Sequence, residues 1–195
     1  MQVNAQLIDA ESGAHLWAER LEATASNLLD LQNQVTDCLA RELGLQLVDA
    51  ASRRSLQERP SSPDVEDLLL RGEALWNKPV NRKRNEDLRT LYEGVLKLDP
   101  KSGYAWVELA RVDATNVATW LSNDRMIDMQ RAQHELDQAT ALAPSLPLLH
   151  SVKGQLHYLR KKPDQAASEL QAYLDLEPSY AGTRAFIAFL RVLVD

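Results

Sequence analysis

The chain has a single cysteine, Cys38, among 195 residues. That excludes an internal disulfide and any zinc site built from several cysteines. Glycine (7) and proline (8) are sparse, which disfavours an all-β fold made of many tight turns. The glycines are scattered, with no G-x-G or G-K-[ST] string, so no phosphate-cradling loop is present. A basic surplus is also missing. Twenty-two Lys and Arg stand against 28 Asp and Glu, a net charge of −6, and phosphate neutralisation by a general nucleic-acid binder needs the opposite balance. No run approaches the 18 consecutive apolar residues of a membrane-spanning helix. Asp9, Glu11, Glu19 and Arg20 interrupt the first twenty residues, leaving no apolar core for a signal peptide. A soluble, cytoplasmic protein is the expectation. Aromatic residues are few (6%), while the 45% apolar and 26% charged fractions are those of an ordinary folded chain. Abundant Leu and Ala then point to stacked helices.

Three similar tripeptides punctuate the second half: Leu98-Asp99-Pro100, Leu142-Ala143-Pro144 and Leu176-Glu177-Pro178. Each follows a helix-like stretch, and proline stops a helix because it lacks the N–H and clashes with the preceding turn. Pro178 follows Pro144 by 34 residues, and Pro144 follows Pro100 by 44. Upstream of Pro178 stand Gly154, Ala166 and Leu170, the small and large residues that close helix contacts require. The corresponding offsets from Pro144 give Ala132 and Leu136, with Ala139 nearer the proline. Trp106, Leu109 and Ala110 follow Pro100 in the Trp-x-x-Leu-Gly/Ala manner.

On these residues the chain resembles the tetratricopeptide repeat (TPR) family over roughly residues 64–195. The resemblance implies a mainly α fold: a TPR-like α-solenoid of about three helix pairs plus a terminal helix. The repeats run from about 65 to 102, using Gly72, Leu75, Tyr92 and Pro100, then 103–146 and 147–180. Leu88 replaces a usual small residue in the first. The second carries about ten extra residues, expected between its helices within Asp113–Met129. Residues 180–194 read as a closing helix.

Such an array binds partners along the surface lined by the first helix of each repeat. By resemblance, the groove positions are Glu73 and Trp76, then Tyr104, Val107 and Arg111, then Leu148, Ser151, Gln155 and Tyr158. A protein or peptide partner is implied, including an upstream domain of the same parent protein. Two basic clusters, Arg82-Lys83-Arg84 and Arg160-Lys161-Lys162, fall at equivalent places and read as solvated loop charges.

The first fifty residues lack the repeat. Val3–Leu7 alternates apolar and polar residues, the strand period; Glu11-Ser12-Gly13 supplies a turn, and His15–Leu21 returns as a second strand. A helix is expected from Ser26, with Leu28, Leu31, Val35 and Leu39 at helical spacing, Cys38 buried beside them and Gly44 as its stop. Leu45–Ala51 is ambiguous. Residues 50–63 read as a linker or polar helix, ending at Asp64 as the cap of the next helix. The strings Val3-Asn4-Ala5-Gln6-Leu7-Ile8-Asp9-Ala10 and Gly13-Ala14-His15-Leu16-Trp17-Ala18-Glu19-Arg20, with Leu31–Val35, resemble the closing hairpin and following helix of the TolB amino-terminal-like α/β domain. Residues 1–49 are then a hairpin-and-helix remnant of an α/β domain. The resemblance implies the C-terminal part of a bacterial adenylate/guanylate cyclase-like or winged-helix regulator, because the hairpin opens almost at Met1. An unpaired hairpin edge further implies a homodimer formed by strand addition.

Chemistry is sparse. Nothing resembles the metal-binding carboxylates of a class III cyclase domain. His150 and His157 are seven residues apart on one helix face with no third ligand spaced to join them, so packing is expected in place of metal binding. No cofactor, catalytic residue, nucleic-acid partner or membrane contact is expected. The leading expectation is a non-catalytic protein-interaction and regulatory module. A free-standing TPR adaptor and an enzyme with an unrecognised site are the alternatives.

Overall fold

The computed structural model describes residues 2–8, 13, 15–22, 36, 43–53, 55–56, 63–177 and 181–192. The chain divides into two compact units, Met1–Arg54 and Ser55–Asp195.

In the first unit, strand β1 (Gln2–Ile8) pairs antiparallel with β2 (His15–Glu22). The register sets Asn4 opposite Arg20 and Gln6 opposite Ala18, with an irregularity between Leu7 and Ile8. Those four paired residues are all exposed, so one hairpin face meets water, as a period-2 pattern dictates. Gly13, at φ 70°, supplies the left-handed residue of the turn. Residues 43–53 are helical. Gly44 therefore sits inside a helix and does not stop one: nothing lies within 4 Å of the Cβ it lacks, and its φ is not in the left-handed range. The expected helix around Leu28, Leu31, Val35, Cys38 and Leu39 lies outside the described residues.

Among the described residues, seven helices make up the second unit: α1 (Val65–Trp76), α2 (Arg82–Leu98), α3 (Gly103–Ala118), α4 (Arg125–Leu142), α5 (Leu148–Leu159), α6 (Pro163–Leu176) and α7 (Ala181–Val192). Asp64 caps α1 through a reciprocal box: its carboxylate accepts from the Asp67 N–H at 2.9 Å, and its own N–H donates to Asp67 at 3.1 Å. The three Leu-x-Pro strings act as expected. Helices α2, α4 and α6 each end at the leucine, and Asp99, Ala143 and Glu177 have left the helical region, with ψ of 88°, 65° and 75°. A following proline disfavours the helical conformation in just that residue.

The helices pack as successive hairpins, α1 on α2, α3 on α4, α5 on α6, with α7 closing against α6. Contacts of α3 with α2 and α5 join one hairpin to the next. This is a mainly α, TPR-like solenoid. Its close approaches fall on the glycines: a Cβ on Gly154 would lie 2.7 Å from Leu170 Cγ, and one on Gly72 would lie 2.7 Å from Tyr92 Oη. Leu88, in the place of the usual small residue, is fully buried with Leu68, Tyr92 and Val95. The extra residues of the middle hairpin are spread out and not held in one loop. Helices α3 and α4 have 16 and 18 residues, against 12 and 14 in α5 and α6. Each gains about a turn, and the connecting loop, 119–124, is longer than the 160–162 connection. Among the described residues no helix is long and apolar enough to cross a membrane.

Candidate functional site

The first helix of every hairpin, together with α7, contributes to one open groove of about 540 Å³. Helix α1 brings Glu73 and Trp76, and α3 brings Tyr104, Glu108 and Arg111. Leu148 and Ser151 come from α5, Thr183 from α7, and the end of α6 adds Tyr173 and Glu177. Spacing explains the α3 set. Tyr104, Glu108 and Arg111 follow one another by four and three residues, so their side chains stack on one helix face.

Glu108 is the buried centre of this face, 1% exposed. Arg111 Nη1 donates to its two carboxylate oxygens at 3.2 and 3.4 Å. Burial pushes the Glu108 carboxyl above the usual carboxylate range, while Arg111, Tyr104 and Trp76 oppose the shift. The Arg111 guanidinium also lies 3.9 Å from the centroid of the Trp76 ring, and that of Arg84 lies 4.8 Å from it, both within cation–π range. The Trp76 indole N–H donates to Tyr92 Oη at 3.1 Å. Burial raises the phenols of Tyr92 and Tyr104, keeping both protonated and able to donate.

Of the nine groove positions expected from the sequence, the structure brings Glu73, Trp76, Tyr104, Arg111, Leu148 and Ser151 together around one opening. Val107 must be corrected. It is fully buried among Ala110, Leu136, Leu149 and Val152, because α3 is central and is covered by both α4 and α5. Gln155 and Tyr158, farther along α5, do not line the opening; the Tyr158 ring instead meets Phe186 edge-on at 5.1 Å. Sequence reasoning missed Glu108, whose spacing to Tyr104 and Arg111 was a usable signal. It also missed Tyr173 and Glu177, which reach the groove from a second helix and had no signal of that kind.

Arg160, Lys161 and Lys162 are exposed in the connection between α5 and α6, as expected of solvated loop charges, and the first cluster departs from that reading at Arg84. Arg82–Arg84 form the first turn of α2. Arg84 is buried, donating to Asn85 Oδ1 at 2.8 Å and to the Lys78 carbonyl at 3.0 Å. Arg160, exposed at the end of α5, donates to Gln133 at 2.8 Å. A second polar cluster ties α2, α3 and α4 together. The fully buried Asp113 pairs with both Arg89 and Arg131, and Arg89 reaches Glu135 at 3.1 Å. His150 Nδ1 lies 2.7 Å from a Glu169 carboxylate oxygen, so this histidine links α5 to α6. Among the described residues no group of three or more His, Cys, Asp or Glu could hold a metal ion.

No family model matches the chain. It is similar to "Putative adenylate cyclase 3" of Rhizobium meliloti (strain 1021), with 28% identity over 116 residues, 60% of this chain and 20% of that protein. The chain thus spans about a fifth of the length of the curated relative it matches. Among solved structures, a thermophilic TPR protein from Thermus thermophilus superposes with a TM-score of 0.58 at 19% identity, over 88% of this chain and 83% of that one. The first TPR of Spaghetti, bound to an HSP90 peptide, gives a TM-score of 0.48 at 16% identity, over 68% and 99% of the two chains. The fold is TPR-like on the first of these two superpositions.

Proposed function

We propose that this chain is the protein-interaction and regulatory part of a longer bacterial regulator, and that its groove takes an extended segment of a partner protein. The observation that carries this reading is the convergence of α1, α3, α5 and α7 on a single open groove lined by Trp76, Tyr104 and Arg111. Aromatic and Arg side chains of this kind dominate binding energetics at protein interfaces. The likeness to about a fifth of an adenylate cyclase-named protein supports a parent of the cyclase-like class, in which an upstream domain responds to groove occupancy. The hairpin of residues 2–22 is read as the closing hairpin of a TolB amino-terminal-like domain. Its sheet has only two strands among the described residues, which supports pairing of a second copy along a free edge.

The chain itself is read as non-catalytic. Glu108, the buried carboxylate of the groove, is held by Arg111 and is not poised against a nucleophile. The test is capture from native lysate with the full chain, beside a Glu73→Arg/Ser151→Arg variant whose helicity is verified by circular dichroism. A partner held by the wild type and lost by the variant supports the groove. A partner held equally by both contradicts it. Cyclic-nucleotide formation from ATP or GTP by this chain would overturn the non-catalytic reading. A monomer in light scattering at high concentration would overturn strand addition.

A further inference from the structure

The charge of the groove narrows the partner, and this step rests on the groove being the binding surface. Three carboxylates line the opening, Glu73, Glu108 and Glu177, against one cation, Arg111. Arg111 is already committed: it bonds both Glu108 oxygens and lies over the Trp76 ring. Its charge and that of Glu108 cancel locally. Glu73 and Glu177 remain, both exposed and both without an ion pair among the described residues. They come from α1 and from the end of α6, so they mark two separate walls of the groove. Tyr104 lines the same opening as Glu73, and its phenol is raised by burial and Glu108 first, with Glu73 adding to the rise.

We infer that the groove selects a basic partner segment, an extended peptide carrying Lys or Arg side chains that meet Glu73 and Glu177. A neutral or acidic segment would cover both carboxylates without compensating them, and a buried uncompensated charge is costly. A Lys or Arg stem can also lie along Tyr104 while its charged end reaches Glu73. The Trp76–Arg111–Glu108 group already holds a guanidinium between an aromatic ring and a carboxylate in this groove, and Tyr104 with Glu73 offers an incoming cation an aromatic ring and a carboxylate of its own.

The experiment is fluorescence anisotropy of three labelled twelve-residue peptides, matched in apolar content and made basic, neutral or acidic, titrated with the full chain. The variants are Glu73→Gln/Glu177→Gln and a charge-matched control outside the groove, Glu86→Gln/Asp137→Asn. The expected result is binding of the basic peptide at least about tenfold tighter than the acidic one, weakened by salt. The groove variant should lose about three- to tenfold toward the basic peptide, and the control should lose little. Equal losses in both variants would reduce the effect to net charge and overturn the inference. Preferential binding of the neutral or acidic peptide would overturn the inference, and a change in that binding on Glu73→Arg/Ser151→Arg, weaker for the neutral peptide or tighter for the acidic one, would leave the groove in place. Binding of no peptide by the wild type would overturn both.

Discussion

The Arg111 guanidinium lies 3.9 Å from the centroid of the Trp76 ring while donating to both oxygens of the buried Glu108. One side chain therefore joins α1 to α3 and neutralises an acid that burial alone would keep protonated. The groove is built over this pair, so its shape and the stability of the first hairpins are linked.

Arg111→Ala should accordingly destabilise the fold by about 2 kcal/mol, because a hydrogen-bonded charge is removed from a buried partner. Without Arg111 the Glu108 carboxyl rises further. The folded state then holds a proton that the unfolded state has lost, and the cost grows as pH increases above the unfolded carboxylate range. Urea unfolding should show a larger loss at pH 8 than at pH 5, and Glu108→Gln on the Arg111→Ala background should recover part of it. An equal loss at both pH values would contradict this assignment.

Gly154→Ala should destabilise by roughly 1–3 kcal/mol, since its Cβ would lie 2.7 Å from Leu170 Cγ and 3.2 Å from the Ala166 carbonyl oxygen. Gly44→Ala should do the reverse. That helical glycine has open space around it, so alanine gains helix propensity and stabilises the 43–53 helix by about 0.5–1 kcal/mol. Thermal unfolding of the two variants, with helical ellipticity as the signal, tests the contrast.

Much of this architecture could be read in the sequence because local chemistry dictated it. The prolines end α2, α4 and α6, Asp64 caps α1, and Gly154 faces Leu170 across a hairpin. Tertiary context decided the rest. Val107 has the spacing of a groove residue, yet α3 is covered on both sides, and no count along one helix reveals that. Arg84 belongs to a basic run, yet its guanidinium finds Asn85 and a carbonyl within reach and leaves solvent. The middle insertion lengthened both helices although Asp113, Thr115, Asn116 and Val117 are poor helix formers, and only the remainder became loop.

Trp120 and Lys161 adopt left-handed backbone, at φ 61° and 58°. They occupy equivalent turns, where Leu121 N–H bonds the Asn116 carbonyl and Lys162 N–H bonds the His157 carbonyl, the closure in which glycine is favoured. Lys161→Gly should stabilise by about 0.5–1 kcal/mol by relieving that backbone. Trp120→Gly should match it, because the indole is 90% exposed and loses no packing. Chemical denaturation midpoints check both, and a fall in either would show that the side chain holds the turn.

Glu135 gives a pH dependence with a defined sign. Burial pushes its carboxyl up to about 7 despite the pull of Arg89, with Asp113 adding to the rise. From the ordinary carboxylate range up to about pH 7 the folded chain retains a proton that the unfolded chain has released. Stability should fall as pH rises through that window and level off above it. The contribution is roughly 3 kcal/mol for a shift of this size. Glu135→Gln should remove this slope, visible as a smaller change in urea midpoint between pH 5 and pH 8 than in the wild type. Parallel profiles would contradict it.

The most direct measurement is amide chemical-shift mapping of the isotope-labelled chain, titrated with a peptide from the captured partner. Perturbations concentrated at Glu73–Asn77, Tyr104–Arg111 and Leu148–Ser151 are the predicted result. Perturbations confined to α2 and α4, with those three segments unmoved, would contradict the groove and move the interaction to another face of the array.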